Sequence, residues 1–346
     1  MSIIDISIPT STLVNMLILG FLGFAVSMLI TPIYTAIAYK FQWWKKPRTT
    51  AVSGEKATEF QKLHAEKHKR NIPTMAGIVI IFGVVIVTII FNLIREQTWL
   101  PLAAMVGAGI VGLIDDIINL KSNGKGVAGL RAKKKLFLIS AVALVGGLWF
   151  YIKNGIDSFH VPWVGAVSIG WLIIPLFIFV VVATANAVNI SDGLDGLAGG
   201  LLASAFGVYS VIALLQQRYG VAAFCLTIVG ALLAYVWFNI FPARFFMGDI
   251  GSFALGTALG VVAMITDTLV LLPVIGFVFV AEAGSVIIQN ISKKLRHGKK
   301  IFRISPIHHH FEAIGWPETK VTMRFWVIGQ VCAVVGLLIA IIGGFI

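Results

Sequence analysis

Residues 168–215 read SIGWLIIPLFIFVVVATANAVNISDGLDGLAGGLLASAFGVYSVIALL. Two runs without a charged side chain, about Ser168–Ala185 and Ala198–Leu215, flank a polar knot holding Asn186, Asn189, Asp192 and Asp195. Each run approaches the roughly 20 apolar residues that cross a bilayer. Carboxylates at the edge of such runs are costly unless they bind something. The stretch therefore predicts two membrane helices with a chemically active turn between them.

The same pattern extends along the chain. Its 346 residues are 58% hydrophobic and only 12% charged, which excludes an ordinary soluble domain. About ten runs qualify as spans: Leu13–Ala38, Ile72–Ile94, Trp99–Ile114, Leu136–Ile152, Ser168–Ala185, Ala198–Leu215, Val221–Ile240, Ser252–Ile265, Leu269–Ile291 and Met323–Ile346. The third and eighth are short and open to tilt or breakage. The expectation is an all-α, polytopic integral membrane protein, one domain over residues 1–346. The first run is too long for a cleaved signal, and no Lys or Arg precedes it. Cys225 and Cys332 both lie inside runs, so neither a disulfide framework nor a zinc site is expected.

Basic residues set the orientation. Of 27 Lys and Arg, only Arg95, Lys153 and Arg218 fall outside one set of loops, those after spans one, three, seven and nine, with Arg324 just inside span ten. Ten spans place those loops on a single side. The positive-inside rule makes that side cytoplasmic and puts both termini outside. The net charge of +12 thus belongs to one face. It reports topology and attraction to anionic lipid, with capture of an anionic substrate as the added functional reading. The expected surroundings are a lipid bilayer, not a nucleic acid.

Asp115, Asp116, Asp192, Asp195 and Asp249 all land on that same face. Asp115 and Asp116 end GLIDD, where a helix C-terminus disfavours acids. Either they need a compensating cation, or they are solvated acids at a helix end. Asn186, Asn189, Asp192 and Asp195 recur every three residues beside Gly193 and Gly196, which allow close backbone approach. Oxygen-only side chains suit magnesium; an Asx-rich turn is the plain alternative. Asp249, in FMGDIGS, stands where a helix start binds phosphate or simply begins a span. Asn239 and Arg244 lie just upstream.

Further candidates lie in loops on the same face. His308, His309 and His310, in PIHHHFE, are read as hydrogen-bond donors to phosphate or sugar, because the other candidate ligands are hard oxygens. Lys69 and Thr74 open the second span. Glu282 is the acid deepest in a run, read as an interior residue that holds helices together rather than a proton relay.

VGLIDD, NAVNISDGLDGLAGG, FMGDIGSFALG and PIHHHFE, in this order, resemble the polyprenyl-phosphate hexosamine-1-phosphate transferase superfamily, and PIHHHFE its phospho-N-acetylmuramoyl-pentapeptide-transferase branch. The resemblance covers nearly the whole chain from Lys69 onward. It implies transfer of phospho-N-acetylmuramoyl-pentapeptide from a UDP carrier to undecaprenyl phosphate, with UMP and lipid I as products. It also implies magnesium and an active site on the cytoplasmic face of the bacterial inner membrane. By the same resemblance Asp115, Asp116 and Asp249 are catalytic, Asp115 near the lipid phosphate and Asp116 its partner. Asp249 and Asp192 are metal residues. Lys69, Thr74, Lys133, Asn186, Asn189, Asp195, Asn239 and His308 to His310 surround the substrate. One departure is Ala76, where the family commonly has glycine; another is the first cytoplasmic loop, which lacks the usual glycine-proline lead-in.

Two other functions compete. A sister enzyme would transfer GlcNAc-1-phosphate, against which PIHHHFE argues. A lipid flippase or transporter would place its acids near the membrane midplane, whereas here they gather at one face. A homodimer is among the assemblies the sequence permits.

Overall fold

The structure, a computed structural model, describes residues 8–44, 70–122 and 129–346. Lys69, with His64 and His68, lies outside the described residues.

A backbone in hydrocarbon must satisfy its own N–H and C=O groups, so the apolar runs become helices. In chain order these are α1 (Thr10–Lys40), α2 (Gly77–Phe91), α3 (Trp99–Lys121), α4 (Ala132–Ile152), α5 (Ile173–Ser191), α6 (Leu197–Leu215), α7 (Tyr219–Asn239) and α8 (Gly248–Ile265). They continue with α9 (Leu272–Ile275), α10 (Phe277–Leu295), α11 (Ile307–Ala313) and α12 (Glu318–Ile342). Among the described residues, eight helices are long and apolar enough to cross a membrane, and a bent pair makes a ninth. Isoleucine, leucine and phenylalanine side chains stand exposed along α1, α2, α4 and α12. That outer surface would be untenable in water and is ordinary against lipid.

Three segments differ from the sequence expectation. Span two is short: α2 has 15 residues, about 22 Å of rise. Residues 73–77 instead run beside 246–247, with Phe246 N–H on Pro73 O at 2.8 Å and Gly77 N–H on Met247 O at 2.9 Å. Ala76 is fully buried there, and its right-handed backbone (φ −65°) accommodates the methyl. Span nine breaks at Gly276, where Leu269–Ile275 and α10 meet at 83°. Gly276, the residue between the two helices, is a weak helix former at the break. A β-hairpin, β1 (Ser158–Val161) with antiparallel β2 (Gly165–Ser168), also interrupts the all-helical reading.

The bundle is built around α8. Within α8, 94% of the span window is buried, and the helix packs on α3, α5 and α2. Glycines set these contacts. A Cβ on Gly112 would strike the Asp249 carbonyl, one on Gly77 the Gly251 backbone, and one on Gly256 the Ala185 backbone. Small residues that let backbones touch are how helices associate without a hydrophobic driving force. The C-termini of α3, α5 and α7 thereby meet the N-termini of α4, α6 and α8 at one end of the bundle, where the acidic motifs lie.

Candidate active site

Asp116 organises the start of α8. Its Oδ2 accepts the Ile250 N–H at 3.0 Å, and its side chain is fully buried. This is an N-terminal cap supplied by another helix, favoured by the helix dipole. Gly248 precedes it with φ +76°, a conformation that costs glycine little. A side chain there would also approach Asp116 Oδ2 to 2.6 Å. The adjacent aspartates therefore divide, because neighbours on a helix point about 100° apart.

Asp115 turns into a charged centre. Lys135 Nζ lies 2.9 Å from Asp115 Oδ2 and 2.7 Å from Asp249 Oδ2. The Leu130 N–H donates to the other Asp115 oxygen. The Asp115 side chain is 2% exposed, Asp249 15% and Lys135 23%, so the cluster is largely removed from water yet opens to it through Asp249 and Lys135. Lys135 Nζ also sits 5.4 Å from the centre of the Phe253 ring. When ionised, two carboxylates and one ammonium do not cancel among themselves. That balance fits a hard divalent cation, which characteristically takes one or two carboxylates plus substrate phosphate.

Asn189, in the last turn of α5, donates from Nδ2 to Ser252 Oγ at 2.8 Å, one turn after Asp249. Asp192 closes α5 as its C-cap. Among the described residues no three His, Cys, Asp or Glu side chains converge as a metal cluster. Asn186 donates to Val182 O of its own helix at 2.7 Å.

The remainder of the turn is tied into the fold. Asp195 Oδ2 accepts the Ala243 N–H at 2.9 Å, and its own N–H donates to Glu318 at 2.6 Å. Asn239 accepts the Gly196 N–H and donates to Phe245 O, both at 2.9 Å. Trp326 Nε1 donates to Gly196 O at 3.1 Å. Asn239 thus joins the turn that carries Asp192 to the segment leading into α8.

The histidines separate in the same way. His308 Nδ1 lies 2.8 Å from Glu282 Oε2, and His309 Nδ1 2.6 Å from Glu312 Oε2. His310 Nδ1 accepts the Arg303 N–H at 3.2 Å. The pairing of Glu282 with His308 bears out its reading as an interior, helix-joining residue. Thr74 is buried, its N–H on Trp43 O and its carbonyl receiving the Tyr34 hydroxyl, both at 2.7 Å.

Lys133 is exposed, whereas Lys135 lies in the cluster. The helical phase carried the signal that separates them: Lys135 shares a face with Ile139 and Ala143, both 1% exposed, four and eight residues on. Lys133 points to another side.

Residues 98–267 match the glycosyl transferase family 4 profile. A phospho-N-acetylmuramoyl-pentapeptide-transferase from Chloroflexus aurantiacus is 43% identical over 289 residues, 80% of this chain and 79% of the relative. Proteins of the same name from Geobacillus sp. and Bacillus mycoides are each 38% identical, over 92% and 94% of this chain and 96% and 98% of their own lengths. The chain belongs to the phospho-N-acetylmuramoyl-pentapeptide-transferase family. Its glycosyl transferase segment runs from α3 to α8 and so contains Asp115, Lys135, Asn189, Asp192 and Asp249. With eight or nine candidate spans and bacterial relatives, this family member is a bacterial membrane protein.

Proposed function

We propose that the protein transfers phospho-N-acetylmuramoyl-pentapeptide from its UDP carrier to undecaprenyl phosphate, releasing UMP and forming lipid I in peptidoglycan synthesis. The observation that carries this is the Asp115–Lys135–Asp249 cluster at one end of an apolar bundle, in a chain whose relatives bear that activity in their names.

The chemistry asks for positioning and charge neutralisation. An oxygen of the acceptor phosphate attacks the sugar-bearing phosphorus of the donor. The bond from that phosphorus to the UMP oxygen breaks, and UMP leaves with the electron pair. The acceptor is already an anion near neutral pH and needs little activation. Two anions must nevertheless meet, and the Lys135 ammonium offsets their repulsion while holding Asp115 and Asp249 in register. Asp115 steers the incoming phosphate. The polyprenyl tail stays in lipid while its headgroup reaches the polar end of the bundle. Attack by the lipid phosphate itself is favoured over a phospho-enzyme route, because both carboxylates are held by Lys135.

Magnesium is the proposed cofactor: Asp249 and Asp192 would hold it, with Asp115 near by, and it would neutralise charge on the pyrophosphate. Asp192, Asn189 and His308 border the donor's nucleotide end. The basic loops orient this end of the bundle to the cytoplasm. The test is UMP release by the purified protein given undecaprenyl phosphate, UDP-MurNAc-pentapeptide and magnesium. Release should vanish with EDTA and nearly vanish in Asp249→Asn and Asp115→Asn. Transfer from UDP-GlcNAc alone would overturn the substrate assignment, and full activity in both variants would overturn the site.

A further inference from the structure

Glu282, Ser285, Gln289 and Ser292 recur at helical spacing on α10 and are all buried, while Val280, Ile287, Ile288, Ile291 and Leu295 are exposed. The helix therefore turns a polar stripe inward. Gln289 and Ser292 use it to hold the loop that follows. Gln289 Nε2 donates to Phe302 O at 2.8 Å, its Oε1 accepts the Ile301 and Phe302 N–H groups at 3.0 Å, and Ser292 Oγ donates to Lys299 O at 2.9 Å. These bonds fasten the loop at residues 299–302.

Glu282 engages a side chain instead. Its Oε2 lies 2.8 Å from His308 Nδ1, with neither side chain more than 1% exposed. Its Oε1 is buried and finds no hydrogen-bond partner among the described residues. The carboxylate also takes backbone N–H groups of Ile307 and His308; an acid buried this deeply still costs more than a well-packed apolar side chain would, so stability alone does not account for it. The other edge of the imidazole is equally constrained. His308 Nε2 sits so close to Gly193 that a Cβ at that position would overlap the ring. Gly193 directly follows Asp192, the C-cap of α5. One buried ring thus connects the bent span to the acidic turn.

We infer that Glu282 is a positioning residue for the nucleotide-sugar donor, fixing the plane and tautomer of His308 and, through that ring, the Asp192–Gly193 turn. This rests on the transferase reading. A carboxyl group paired with Nδ1 sets which nitrogen of the ring carries the proton and directs Nε2 to the opposite side. The turn and the ring fit together only because position 193 has no side chain. In the transferase reading Asp115 steers the acceptor's phosphate and His308 borders the donor's nucleotide end, so the effect of Glu282, exerted through His308, falls on the donor.

Steady-state UMP release, with each substrate varied in turn, tests this. Glu282→Leu, of similar size and without an acceptor, should raise the donor KM roughly tenfold and leave kcat and the acceptor KM within about twofold. Glu282→Gln keeps an acceptor for Nδ1–H and should restore the donor KM to within about threefold of the unmodified protein. Gly193→Ala pushes on the same ring from its other edge and should reproduce the donor KM rise, which keeps the test decisive if Glu282→Leu does not fold. A fall in kcat with both KM values unchanged would mark a purely structural role and overturn the inference. Turnover with an unaltered donor KM in Gly193→Ala and any folded Glu282→Leu would overturn it as well. No UMP release by the unmodified protein would instead remove the transferase reading, and this inference with it.

Discussion

The two ends of the bundle solve the same problem with different chemistry. At the end away from the aspartate motifs, helix termini are joined chiefly by amides and hydroxyls. Asn92 Nδ2 donates to Gly220 O at 2.9 Å, Gln97 Oε1 accepts the Gly220 N–H at 2.8 Å, and Gln216 Nε2 donates to Thr266 O and Phe345 O at 2.8 and 2.9 Å. One acid there, Asp267, accepts the His160 N–H at 2.9 Å, and another, Asp157, the Ser168 hydroxyl. At the other end, Asp116 and Asp195 do similar work on the backbone N–H groups of Ile250 and Ala243. Asp115 and Asp249 share a lysine instead. Joining helices does not require three charged side chains in one largely buried place. A carboxylate spent on a backbone N–H reads as architecture, and carboxylates sharing a cation read as chemistry.

The sharpest way to break this distinction is to remove the shared cation. Lys135→Ala should lower the rate of UMP release by about a thousandfold, the scale of losing a preorganised electrostatic group. Lys133→Ala, two residues away and exposed, should keep the rate within about threefold, since it would act only through surface charge. Equal losses in the two variants would mean that the basic run works as a diffuse patch and that the cluster geometry is incidental.

A smaller effect should follow from moving the cluster without altering its charges. Gly112→Ala places a methyl against the Asp249 carbonyl, where the obstacle is backbone and cannot swing away. Helices α3 and α8 must separate, carrying Asp115 away from Asp249. A displacement near 1 Å costs about a hundredfold in rate. UMP release together with a melting curve checks this. A large drop in melting temperature with unchanged rate per folded molecule would show that the close packing serves stability alone.

Most of the architecture was legible because hydrophobic run length is a one-dimensional property. Each expected span contains a helix, and the acidic motifs gathered at one end as the alternation of spans required. Three features depended on three-dimensional partners. Span two shortened because Pro73 to Gly77 pair with Phe246 and Met247, a contact between segments far apart in sequence. Span nine broke at Gly276, although its inward polar stripe of Glu282, Ser285, Gln289 and Ser292 was visible as a periodicity. Within the site, the resemblance made both Asp115 and Asp116 catalytic, with Asp116 as the partner, and only three-dimensional contacts reveal that Asp115 meets Lys135 and Asp116 the Ile250 N–H. Helical phase selects Lys135 over Lys133. Asn239 and Asp195 carry the chemistry of ligands, and only their partners, Gly196, Phe245 and Ala243, reveal what those groups are spent on.

The smallest effect is expected at the far end. Asp267 is half-buried, and burial pushes its carboxyl above the ordinary carboxylate range, with the His160 N–H and the charges of His160 and Arg218 opposing that shift. A carboxyl raised in the folded state contributes stability below its unfolded value, near 3.9, and loses that contribution as pH rises through the folded value. Asp267→Asn keeps an acceptor for the His160 N–H and never ionises. Its melting temperature relative to the unmodified protein should therefore be more favourable at pH 7.5 than at pH 3.5, by no more than about 3 °C. UMP release at pH 7.5 should stay within about twofold, because an architectural carboxylate replaced by an amide leaves the chemistry intact. A tenfold loss of activity with an unchanged melting temperature would place a functional charge at both ends of the bundle, and the division between cap and cluster would fail.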